Sequence, residues 1–80
     1  MNKEVINVIT LNSGIIESVK SFIIPTSKSK EHIVRRAENL FINQIVDITR
    51  LALTDEARKY YIEEGVWSDG CNEIYLVWSE

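Results

Sequence analysis

The chain has 80 residues, 45% of them apolar and 26% charged, and its formal net charge is -3. Those figures describe one domain, residues 1–80, and exclude a disordered tail, while 3 Gly and 1 Pro exclude collagen-like or linker sequence. A single Cys excludes an internal disulfide framework and a multi-cysteine zinc site.

The elements follow in chain order. Residues 4–11, Glu-Val-Ile-Asn-Val-Ile-Thr-Leu, are dense in β-branched side chains and read as a strand. Asn12, Ser13 and Gly14 form a turn cluster with Gly where a positive φ is needed. Residues 15–24 are again β-branched and aromatic, so the two runs read as a hairpin. Pro25 ends the second strand because it has no N–H for a ladder. Thr26, Ser27 and Ser29 offer helix N-caps.

From Ile33 the apolar period becomes helical. Ile33, Ala37, Leu40, Phe41, Gln44, Ile45 and Ile48 share one face, with Val34 at its margin and Gln44 the only polar member. The expected helix runs over residues 28–50. Thr54, followed by Asp55 and Glu56, starts a second helix: a hydroxyl cap with two acids where the dipole favours them. It covers residues 55–64 and stops at Gly65. Ser68-Asp69-Gly70-Cys71-Asn72 is a further turn cluster, across which Val66 and Trp67 can pair briefly with the final strand, residues 73–79. That strand alternates, with Ile74, Leu76 and Trp78 opposed to Tyr75 and Val77.

The order ββααβ reads as α+β: a three-stranded antiparallel sheet in the order 2-1-3, with two helices packed on one face. Strict alternation puts Val5, Ile9 and Leu11 on one side of the first strand and Ile6 and Val8 on the other. In the second strand it opposes Ile15, Val19 and Ile23 to Ile16, Phe22 and Ile24. Two helices cover one sheet face, and nothing remains to cover the other. An antiparallel sheet with one wet face carries polar residues there, and this one does so only in part. The excess points to a protein partner or a second copy of the chain, a homodimer, with Tyr75 and Val77 in the contact. Ile42 and Val46 join them as partner-binding residues, since they lie about 180° and 220° from Ile33 around the helix, opposite its core stripe. The ordinary alternatives are scattered surface apolar residues, and cover by the short helix.

Little in the sequence supports catalysis. His32 and Cys71, each the only one of its kind, are far apart in the chain, and Cys71 has the acidic neighbours Asp69 and Glu73, which oppose a lowered thiol pKa. Adjacent acids such as Glu63 and Glu64 do not face each other on a helix. Asp69, Asn72 and Glu73 lack the ligand count and spacing of a calcium loop. The expectation is a non-enzyme with no catalytic residue, no metal and no cofactor.

Charge is unevenly distributed: residues 1–40 carry a net +2 and residues 41–80 a net -5. The positive charge concentrates at Lys28, Lys30, Arg35 and Arg36, interleaved with Glu31 and Glu38. Cations in a first helical turn oppose the macrodipole, which can mark an anion-binding or nucleic-acid-binding site. A solvated helix start is the plainer reading, because the chain is acidic overall and lacks interleaved aromatics. No run approaches the roughly 18 apolar residues of a membrane span, and residues 1–5 lead into no leader-like apolar stretch, so the expected location is cytoplasmic, without membrane contact.

In size, strand–helix order and acidity the chain is similar to short open reading frames carried by phages and mobile elements, some of which bind and block host proteins. That resemblance rests on no diagnostic motif. It implies an inhibitor of a host protein as one form of a small interaction or regulatory module.

Overall fold

A computed structural model describes residues 4–24 and 30–79. The first strand, β1 (Glu4–Asn12), and the second, β2 (Ile15–Ile24), form the expected hairpin. Ser13 and Gly14 turn the chain with φ of 52° and 81°, the left-handed pair that lets a tight turn follow the twist of its strands. The Ser13 N–H also donates to the Cys71 carbonyl at 2.7 Å, which ties this turn to the far end of the chain.

Helix α1 spans Lys30–Thr49 and α2 spans Asp55–Glu64. The proposed cap residues Thr26, Ser27 and Ser29, and Lys28 with them, lie outside the described residues. Thr54 caps α2 as its sequence context requires: its Oγ1 accepts from the Ala57 N–H at 3.1 Å. Gly65 closes α2 at φ 71°, with its N–H donating to the Tyr61 carbonyl at 2.8 Å.

Two short strands follow, β3 (Val66–Ser68) and β4 (Asn72–Ser79). The sheet therefore has four strands in the order β2-β1-β4-β3, all antiparallel, where three were expected. The 2-1-3 arrangement survives inside it, because the expected third strand is β4 and lies beside β1. The extra strand is the brief Val66–Trp67 pairing, extended to Ser68. Gly65 makes it possible: its carbonyl accepts from the Leu76 N–H at 2.9 Å immediately after ending α2.

The core lies on one face. Ile6, Val8, Ile24, Ile74, Leu76 and Trp67 come from the sheet, and Ala37, Phe41, Ile42 and Ile45 from α1. The Thr10 hydroxyl, on the same face of β1, donates to Gln44 Oε1, which accounts for the polar member of the helical stripe.

Three expectations change. Ile42 is 1% exposed and lies in the core, while Val46 is half-buried and packs against the core cluster. The side of α1 that carries them is covered by the chain itself: Arg58 of α2 reaches Asn39, one turn before Ile42, at 3.4 Å, and Leu53, Tyr61 and Ile62 pack into the same cluster. A helix clasped between a sheet and a second helix needs a wider apolar sector than a single stripe.

Second, the register of β1 against β2 slips between Thr10 and Leu11: Thr10 pairs with Ser18, but Leu11 pairs with Ile16. Glu17 is the extra residue of a bulge, and an inserted residue reverses the facing of everything beyond it. Ile16 therefore sits beside Leu11 and not with Phe22 and Ile24. Third, Trp78 keeps the core side of β4 but is 47% exposed, because it lies at the end of the sheet beside the start of α1.

Candidate functional site: the open sheet face

The register defines the second face. Val5, Asn7, Ile9 and Leu11 of β1 stand opposite Ser79, Val77, Tyr75 and Glu73 of β4. On the other side of β1, Val5, Asn7 and Ile9 stand opposite Ile23, Ser21 and Val19 of β2. Val66 of β3 pairs with Tyr75. Side chains directly opposite in an antiparallel ladder share a face, so these residues form one surface, turned away from both helices.

That surface is apolar and open. Ile16 is 59% exposed, Val19 50%, Ile23 60% and Val77 39%, while Val5, Ile9, Leu11 and Tyr75 are half-buried among them. All four strands contribute to it, so it is one continuous patch and not scattered exterior residues. Near its middle lies one polar pair: the Ser21 hydroxyl donates to Asn7 Oδ1 at 2.5 Å. Glu73 is the only carboxylate on this face among the described residues, and it lies at the turn end of β4.

Of the expected partner-binding residues, the structure brings Tyr75 and Val77 together on this face and places Ile42 in the core and Val46 at its margin, on the other side of the sheet. The basic residues do not converge. Lys30 pairs with Glu4 at 3.1 Å, and its ammonium lies 5.8 Å from the Trp78 ring centroid. With Arg35 it lines a shallow groove that also holds Glu31 and Glu38. Arg36 points to the other flank of α1, its guanidinium 6.0 Å from the Phe22 ring and beside Lys20 in a separate groove. Lys28 lies outside the described residues.

His32 and Cys71 are both exposed, and no hydrogen bond among the described residues joins them. Asp69 is committed to the β3–β4 turn. Its carboxylate accepts from the backbone N–H of Asn72 at 2.6 Å and of Cys71 at 2.9 Å, and from Asn72 Nδ2 at 3.2 Å. These bonds hold its pKa below the usual carboxylate value, the Asn72 backbone N–H contributing most. No cluster of three or more His, Cys, Asp or Glu occurs among the described residues, and no described helix is long and apolar enough to cross a membrane.

The Asn7–Ser21 pair and the position of Ile16 escape a reading by strict alternation. Both depend on the bulge, for which the sequence carries no Gly or other local signal at Glu17. The fold and surface define an α+β domain with helices on one sheet face and an exposed apolar patch on the other. Comparison of the chain with protein-family models, curated proteins and solved structures finds no match.

Proposed function

We infer that this is a small non-catalytic interaction module that works by docking the open sheet face onto protein. The supporting observation is the continuous apolar patch centred on Val5, Ile9, Val19, Ile23, Tyr75 and Val77, in which Val19, Ile23 and Val77 are exposed and Val5, Ile9 and Tyr75 half-buried, on strands whose other face is already a packed core. Soluble domains rarely expose a contiguous patch of this kind without using it. An inhibitor of a host protein would use the same surface.

Binding of an anion or nucleic acid by the basic start of α1 is the alternative. Lys30 and Arg35 do share a groove, which favours it, but Glu4, Glu31 and Glu38 sit in or beside the same groove and offset their charge. The two readings separate cleanly by mutation. Val19→Lys and Val77→Lys alter exposed positions and leave the fold intact. They are expected to weaken protein association by more than about tenfold, whether with other copies or with another chain. Lys30→Glu with Arg35→Glu is expected to leave it unchanged. The reverse pattern, with salt-sensitive nucleic-acid binding lost in the charge-reversal variant, would replace the first reading with the second.

A further inference from the structure

We propose that the occupant of the open sheet face is the same face of a second copy, the two sheets stacked about a two-fold axis that passes beside Asn7 and Ser21. This rests on the docking role of that face and adds the identity of the partner and the position of the axis.

The first ground is area. Strands of 9, 10, 3 and 8 residues, at roughly 16 Å² of sheet plan per residue, give a flat footprint of roughly 480 Å². Side-chain relief raises the accessible area above that plan. Two fully overlapping copies therefore cover about 960 Å² of plan, which side-chain relief brings to about the 1,000 Å² that a specific interface has to clear. Sheet-on-sheet packing is also the ordinary way for an antiparallel sheet to cover such a face.

The second ground is charge. A two-fold axis sets each residue beside it against its own copy, so like charges meet there unless the patch around the axis is neutral. This one is neutral: its only described carboxylate, Glu73, lies at the end of β4, and Lys20 and Glu17 of β2 belong to the other side of the sheet. A strongly basic or acidic partner would find no complementary charge in it.

The third ground is the polar pair. Ser21 spends its hydroxyl proton on Asn7 Oδ1, which leaves the Asn7 Nδ2 donors and the lone pairs of Ser21 Oγ. An amide carries donor and acceptor on one side chain, so it can satisfy its own symmetry mate. A single polar group in an otherwise apolar interface fixes register, as asparagine does in coiled coils.

The test is sedimentation of the full chain and its variants over a concentration series, with far-UV circular dichroism to confirm folding. The wild type is expected to dimerise, and Val77→Lys to weaken the dimer by more than about tenfold, the cost of leaving a charge unpaired in an apolar contact. Asn7→Asp alone and Asn7→Lys alone are expected to be monomers at concentrations where the wild type is dimeric, and their equimolar mixture to recover the dimer. That rescue requires residue 7 to meet residue 7 across the axis. A wild-type dimer together with a mixture that stays monomeric overturns the axis. A wild type that stays monomeric at every concentration overturns the second copy as occupant. In that case the docking role itself still stands if Val77→Lys abolishes capture of a different protein, and it falls if Val77→Lys changes nothing.

Discussion

Ile42 gives the sharpest test of how α1 is seated. It is 1% exposed and among the largest fully buried side chains, in one cluster with Phe41 and Ile45. Ile42→Ala removes three carbons from a site that a packed sheet and helix cannot collapse to fill, and such changes cost about 2–5 kcal/mol. An 80-residue domain has only about 4–12 kcal/mol in total, at 0.05–0.15 kcal/mol per residue. A mid-range loss of about 3 kcal/mol lowers the melting temperature by about 12–24 °C. Ile42→Glu adds an unpaired buried carboxylate and is expected to leave the chain unfolded at 25 °C. Urea titration followed by tryptophan fluorescence reads both variants, because Trp67 is 7% exposed and reports on the core. Trp78, at 47%, is removed as background with Trp78→Phe. Lys59→Gln, at an exposed position of α2 away from the open face, is the control, expected within about 0.5 kcal/mol of wild type. An Ile42→Glu variant that folds with the wild-type midpoint would mean that α1 is rotated outward and that α2 packs elsewhere.

Three further outcomes follow from the local geometry. Thr54→Ala removes the acceptor of the Ala57 N–H and should cost about 1 kcal/mol in urea unfolding, with Thr54→Ser restoring most of it. Gly65→Ala forces a side chain into a φ of 71° and brings its Cβ to 3.0 Å from the Leu76 carbonyl oxygen; a loss of at least about 1 kcal/mol is expected, with faster amide exchange at Leu76. Asp69 titrates below its ordinary value of 3.8 in the folded chain, so it favours folding as the carboxylate. Its contribution is complete above about pH 4 and is lost as the pH falls through the lowered folded value, and Asp69→Asn should flatten the acid limb of a stability–pH profile.

Chemistry that acts over a few residues was readable in advance. The Thr54 cap, the acids behind it and the Gly65 stop define α2 to the residue, and alternation in β4 separates Tyr75 and Val77 from Ile74 and Leu76. What escaped depends on tertiary neighbours. Ile42 and Val46 look outward when α1 is drawn against a sheet alone and turn inward once α2 closes on its far side. The open face was legible as an apolar excess, but its polar centre was not. A two-residue turn with unbroken pairing would set Asn7 opposite Lys20. The bulge at Glu17 moves it opposite Ser21, and a bulge arises from strand twist and has no dedicated residue code here.

That bulge also governs where association can stop. β2 is an outer strand of ten residues, and an outer strand offers its spare N–H and C=O groups to any chain that can lie flush along it. The extra residue, Glu17, breaks the even spacing of those groups and tightens the local twist, and it places a charge at the break, with Lys20 three residues further on. Growth along the hydrogen-bonding direction, the direction in which sheets lengthen into fibres, is therefore obstructed at the one long outer strand among the described residues. In the proposed dimer, stacking two faces consumes both surfaces and leaves nothing for a third chain. In that proposed dimer, the same bulge steers an exposed apolar sheet toward an assembly of fixed size and away from an endless one.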